Sequence, residues 1–131
     1  MTLLNTYIVE DSVVIRDSLI ATLEELAPVV VLGTALDEET AIKWLGQAGH
    51  EVDLVIVDIF LAGGSGLGVL RRVGTLDIDA KLVVLTNYAT ADIRRTCLEL
   101  GADKVFDKSS DIDALIQYCI NAAKDNTAAA I

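Results

Sequence analysis

Five positions in this chain carry side chains suited to chemistry, and each stands where an apolar run ends. Glu10 and Asp11 follow Tyr7-Ile-Val9, Asp58 closes Val52-Asp-Leu-Val-Ile-Val-Asp58, Thr86 follows Lys81-Leu-Val-Val-Leu85, and Lys108 follows Val105-Phe-Asp107. Read singly, Asp58 is a solvated strand-end carboxylate, Thr86 a helix cap and Lys108 a surface lysine. Their information lies in the set.

Three carboxylates gathered in one crevice repel one another, so at neutral pH they hold a cation or at least one of them has a raised pKa. A hard divalent cation is the simpler solution. With too few ligands for a closed cage, the set suits Mg²⁺, which keeps several waters and takes a phosphoryl oxygen, better than Ca²⁺. An aspartate beside Mg²⁺ can attack phosphorus and form an acyl phosphate, and Asp58 is the best placed nucleophile. Lys108 would add positive charge and Thr86 a hydroxyl donor to the transferring oxygens.

Such a cluster needs a scaffold that brings separate strand ends together. Runs rich in Val, Ile and Leu occur near 4–9, 29–35, 52–58, 81–86 and 103–107, and they predict five strands. Amphipathic patterns predict helices over 12–26, 38–47, 66–73, 90–100 and 111–124, with Asp37 and Asp111 as N-caps, Gly101 as a stop and Pro28 as a break. Continuous rather than alternating apolar strands imply burial on both faces. The predicted fold is a flavodoxin-like, doubly wound α/β domain with parallel strand order 2-1-3-4-5, whose ligand crevice lies at the carboxyl ends of strands 1 and 3.

Composition narrows the function. The 131 residues, 53% of them hydrophobic, suit one domain spanning 1–131 with a core over 4–125, and 126–131 reads as a frayed helix end. A net charge of -10 repels nucleic acid and anionic membranes, so neither is expected as a partner. No signal-peptide pattern opens the chain and no apolar run reaches the roughly 20 residues of a membrane span, which points to the cytoplasm. Cys97 and Cys119 fall on apolar helix faces and His50 lies alone in a polar turn, so no transition-metal site is expected.

Over residues 4 to 125 the chain resembles a response-regulator receiver domain of two-component systems, of the single-domain chemotaxis type. The resemblance is carried by Glu10-Asp11, by Asp58 in Asp-Leu-Val-Ile-Val-Asp58-Ile-Phe-Leu, by Gly66, by Thr86 in Val-Val-Leu-Thr86-Asn and by Lys108 in Phe-Asp-Lys108-Ser. It implies a signalling phosphoacceptor rather than an enzyme. Asp58 would take a phosphoryl group from a phosphohistidine of a sensor histidine kinase or histidine phosphotransfer protein. Mg²⁺ would be held by Asp11 and Asp58, by Glu10 mainly through water and by the backbone carbonyl of Phe60. Thr86 would then move inward and remodel the face of helix 4, strand 5 and helix 5, through which a downstream protein or a second copy would bind.

Several positions depart from that family. Where many receivers place a swinging aromatic ring three residues before the lysine, this chain has Val105, and strand alternation sends the adjacent Phe106 to the other face. Ser109 replaces the usual proline after the lysine, so a trans peptide is expected there. Ala62 replaces another proline, and the glycines of Gly63-Gly64-Ser65-Gly66 predict a mobile loop. Phe60 and Tyr88, two residues after Asp58 and Thr86, would hinder hydrolytic water and slow autodephosphorylation.

Other readings are weaker. The glycine run lacks the ending of a phosphate-binding loop and follows the third strand rather than the first. Phe60 breaks the Asp-x-Asp pattern of aspartate phosphohydrolases and stands where a cobalamin carrier needs histidine. Arg71-Arg72 and Arg94-Arg95 read as solvated helix faces. The alternatives retained are a pseudo-receiver that binds partners without phosphorylation and the receiver of a longer DNA-binding transcription factor.

Overall fold

The computed structural model describes residues 2–47 and 49–129, with side chains described through Asp125. Five strands, β1 (Leu4–Val9), β2 (Val29–Ala35), β3 (Leu54–Val57), β4 (Lys81–Thr86) and β5 (Lys104–Asp107), alternate with five helices. The helices are α1 (Val13–Leu26), α2 (Glu38–Leu45), α3 (Gly66–Val73), α4 (Ala91–Glu99) and α5 (Ile112–Ala129). The strands form one parallel sheet in the order β2-β1-β3-β4-β5, as the sequence pattern predicts.

Alternation along the buried strands sorts the core into two layers. Val55 and Val57 join Tyr7, Val9 and Val84 beneath α2, α3 and α4, while Leu54 and Ile56 join Leu4, Ile8, Val83 and Leu85 beneath α1 and α5. Cys97 and Cys119 are core residues, one in each layer. Each fully buried Leu, Ile or Val side chain stabilises the fold by about 1.5–3 kcal/mol relative to an exposed one. The sheet is therefore a stiff platform, and the groups at its carboxyl edge inherit its geometry.

Local signals set the ends of the helices. Ser12, Asp37, Ser65 and Thr90 each accept a backbone N–H of the first turn of their helix. α2 stops at Leu45, two residues before the predicted end, because Gly46 closes it by donating its N–H to Ile42. α5 runs past the predicted Lys124 to Ala129, and residues 130–131 of the predicted frayed tail lie outside the described residues. Gly101 adopts a φ of 104° after α4, the left-handed geometry that a stop glycine supplies. Among the described residues every peptide bond is trans.

The loop between β3 and α3, expected from its glycines to be mobile, is hydrogen-bonded to both neighbouring elements. Gly63 accepts the Glu38 N–H at 3.0 Å, Ser65 donates its N–H to Glu38 Oε1 at 3.1 Å, and Gly66 donates to Ile59 at 2.9 Å. Phe60 and Ser65 also form an antiparallel bridge. The glycines let α2 approach: a Cβ at Gly68 would sit 2.1 Å from Glu38 Oε1. The loop is tied to α2 at its turn and to β3 at its base.

Candidate functional site

The main chains of β1 and β3 deliver their terminal carboxylates to one point. Glu10 continues the β1 ladder by donating its N–H to Ala35 at 2.9 Å, and Asp58 continues the β3 ladder by donating to Val9 at 3.0 Å. Carboxylate oxygens of Glu10, Asp11 and Asp58 all lie within 4.8 Å of one another. Glu10 is 3% exposed and Asp58 8%, so their charges are withdrawn from water and require compensation.

Lys108 supplies it. Its backbone N–H is held by the Thr86 carbonyl at 3.0 Å, and its Nζ donates to Asp58 Oδ2 at 2.8 Å and to Glu10 Oε1 at 2.5 Å. Glu10 Oε2 accepts the Ser12 N–H at 3.1 Å, which ties the carboxylate to the start of α1. Burial pushes the Glu10 carboxyl above its ordinary value, against the opposing pull of Lys108 and Ser12. Burial also pulls the Lys108 ammonium down, but its hydrogen bonds to Asp58 and Glu10 outweigh that and hold it above the ordinary lysine value. The ammonium is a fixed positive charge beside the acidic set.

Thr86 closes β4 fully buried, and its Oγ1 accepts the Tyr88 N–H at 3.2 Å. A hydroxyl that accepts one bond keeps its own proton to donate. Phe60 donates its N–H to Asp58 Oδ1 across 3.4 Å, a long bond. The half-exposed Phe60 and Tyr88 rings meet edge to face, with centroids 4.8 Å apart, so the positions singled out in the sequence form one aromatic pair. Val105 and Phe106 point to opposite core layers, as alternation predicts, and Phe106 packs on Tyr118.

After Lys108 the chain turns by hydrogen bonding where the resemblance led one to look for proline. The Asp107 carboxylate accepts both the N–H of Ser109 at 2.8 Å and its hydroxyl at 2.5 Å, and these bonds hold its carboxyl below the usual carboxylate range. Asp111 caps the other side, its Oδ2 accepting the Asp107 N–H at 2.8 Å. The predicted N-cap of α5 thus turns its side chain back onto β5.

Three residues escaped the sequence reading. Glu38 joins α2 to Ser65 and to Arg72, which also pairs with Glu39, so Arg72 is an interhelix clamp rather than a solvated charge. Arg94 donates Nε to the Ala89 carbonyl at 3.0 Å and Nη1 to the Val105 carbonyl at 2.8 Å, and its Nη2 lies 3.5 Å from Asp111. It too was expected to be solvated.

A five-stranded 2-1-3-4-5 sheet with an acidic cluster and a lysine at its carboxyl edge defines a receiver-type signalling domain. Residues 6–120 match the response regulator receiver domain family, and the chain belongs to it. It is 27% identical over 100 residues to the response regulator UvrY of Escherichia coli K12, covering 76% of this chain and 45% of that protein. The chain thus matches less than half the length of this relative. A response regulator from Burkholderia pseudomallei, solved with a phosphorylated aspartic acid, calcium ion and citrate, superposes with a TM-score of 0.77 at 25% identity. That match covers 95% of this chain and 71% of the other. The receiver domain of the putative response regulator NarL from Mycobacterium tuberculosis shares the fold at a TM-score of 0.82 and 19% identity, covering 95% and 98% of the two chains.

Proposed function

We propose that this receiver accepts a phosphoryl group on Asp58 from a phosphohistidine of a sensor histidine kinase or phosphotransfer protein, with Mg²⁺, and relays the change to a protein partner. The observation that carries this reading is the bridge from Lys108 to Asp58 and Glu10, with Asp11 alongside. It sets a neutralising cation in direct contact with two members of a clustered acidic set.

The donor set fits a hard cation. Glu10, Asp11 and Asp58 present carboxylate oxygens close enough to share an ion, and the family resemblance implies the Phe60 backbone carbonyl as a further ligand. When bound, Mg²⁺ supplies charge stabilisation at the transferring oxygens. An Asp58 oxygen attacks phosphorus as the bond to the histidine nitrogen breaks, and the ring nitrogen keeps the electron pair. Lys108 shifts from the carboxylates toward the phosphoryl oxygens, and the Thr86 hydroxyl donates its proton as a hydrogen bond to another of them.

The surroundings support a protein donor. Val14 is exposed on α1, and with Ile15, Leu85 and Ile112 it lines an apolar groove that reaches Lys108. The Phe60–Tyr88 pair screens Asp58 from water and slows autodephosphorylation. Among the described residues no helix is long and apolar enough to cross a membrane; the cytoplasmic setting proposed for this receiver rests on its family resemblance. The face of α4, β5 and α5 carries a groove suited to a partner or a second copy.

The test is Mg²⁺-dependent incorporation of phosphate from a small-molecule donor, or binding of BeF₃⁻, at Asp58. Both are expected in the wild type and absent in Asp58→Asn. No incorporation at saturating donor would favour the pseudo-receiver, in which the aromatic pair blocks access.

A further inference from the structure

We infer that Arg94 couples the phosphorylation site to the face of α4, β5 and α5, standing in for the aromatic ring that Val105 cannot provide. The inference rests on Asp58 being the phosphoryl acceptor. One planar guanidinium spans three elements: Nε is on the Ala89 carbonyl in the loop before α4, Nη1 on the Val105 carbonyl within β5, and Nη2 faces Asp111 at the start of α5. Because the fork is rigid, displacing one anchor tilts the other two.

Two short covalent and hydrogen-bonded links join those anchors to the acceptor. On one side, the Thr86 hydroxyl holds the Tyr88 N–H, and Ala89 is the next residue. When that hydroxyl moves to donate its proton to a phosphoryl oxygen, the Tyr88 N–H bonded to it is drawn along and the loop carrying the Ala89 carbonyl shifts. On the other side, Lys108 contacts Asp58, its neighbour Asp107 donates its N–H to Asp111 Oδ2, and the same Asp111 oxygen faces Arg94. The moving element is the loop between Thr86 and α4, which both the site and the arginine bias; proximity alone would not establish coupling.

The output is local. Arg94, Leu98, Lys104, Val105, Phe106 and Asp111 line a groove on this face, and Leu98 is half-exposed at its rim. Releasing the guanidinium from Val105 and Ala89 changes the charge and the hydrogen-bonding groups on the wall of that groove without repacking the core. Phosphorylation thereby alters what the groove binds.

The experiment is a ¹⁵N NMR titration of the whole chain with BeF₃⁻ and Mg²⁺, in wild type, Arg94→Met and Arg94→Lys. In the wild type, BeF₃⁻ shifts the amides of Asp58 and Lys108, the Arg94 Nε–H, and the amides of Val105, Phe106 and Asp111. In Arg94→Met the shifts at Asp58 and Lys108 persist, whereas those at Val105, Phe106 and Asp111 are lost. If Arg94→Met loses its dispersed spectrum, Arg94→Lys is read in the same way, because one ammonium cannot span the three anchors. Unchanged propagation to β5 in a folded variant overturns the role of Arg94 and leaves the acceptor reading intact. The absence of any BeF₃⁻ response at Asp58 in the wild type overturns the acceptor reading, and the coupling with it.

Discussion

Lys108 Nζ and Asp58 Oδ2 are 2.8 Å apart, and the same ammonium also holds Glu10. One lysine thus balances two buried carboxylates, and a bound Mg²⁺ would compete with it for them. Breaking a buried ion pair from one side costs about 3–5 kcal/mol, since the stranded charges stay buried. Lys108→Met is expected to lower metal-free stability by about 3 kcal/mol, with millimolar Mg²⁺ restoring part of the loss. Urea midpoints with and without Mg²⁺ test this; a variant as stable as wild type in chelator would refute it.

Phe60 and Tyr88, two residues after Asp58 and Thr86, form an edge-to-face pair. Replacing both, as Phe60→Asn with Tyr88→Glu, opens the approach and supplies polar groups to orient water. Decay of phosphorylated protein after donor removal is expected to accelerate by about tenfold, equivalent to about 1.4 kcal/mol in the barrier. Equal decay rates would show that the rings do not govern hydrolysis.

Gly66 and Gly68 separate two kinds of close approach. A Cβ at Gly66 would lie 2.0 Å from the Asp58 carbonyl oxygen and 2.7 Å from the Ile59 Cα, atoms that cannot move without shifting the acceptor. At Gly68 the obstacle is the tip of Glu38, which can swing away at the expense of its bonds to Ser65 and Arg72. Gly66→Ala is expected to lose about 3 kcal/mol, at the upper end of overpacking penalties. Gly68→Ala is expected to stay near neutral, because alanine's helix propensity, about 1 kcal/mol better than glycine's, offsets the lost contacts. Thermal unfolding of the two variants side by side tests the ordering.

Burial, aided by the charge of Asp37, pushes the Tyr7 hydroxyl up to about 12, and burial with the charge of Asp103 does the same for Tyr118. An unfolded tyrosine ionises near 10, two units lower. Above that pH the unfolded chain releases protons that the folded chain keeps, so this contribution is complete below pH 10 and is lost as pH rises through 12. Stability is expected to fall by about 2.7 kcal/mol from Tyr7 alone across that window. Tyrosinate absorbance should track unfolding, and a Tyr7→Phe variant should show a shallower alkaline loss; identical slopes would contradict the assignment.

Most of the scaffold was legible because its signals are local. Val-, Ile- and Leu-rich runs, the cap at Asp37 and the stop at Gly101 act through a residue's own backbone and near neighbours. The family pattern then marked Asp58, Glu10, Asp11, Thr86 and Lys108. The contacts of the glycine loop were not legible, for the same reason in reverse. Glycine frequency reports the freedom of the unfolded chain, whereas Glu38, 25 residues before Gly63 in the sequence, supplies the bonds that tie the loop down.

By itself, then, the sequence determined the order of elements, the burial of the central strands and the presence of an acidic set, a hydroxyl and a lysine at strand ends. Periodicity and hydrophobicity suffice for that. Only the tertiary structure decided that Lys108 bridges Glu10 and Asp58, that Phe60 and Tyr88 meet as one pair, and that Arg94 joins Ala89, Val105 and Asp111. Those contacts depend on how far each side chain reaches once the strands are in register. Ångström-scale distances between residues remote in sequence leave no trace in local pattern.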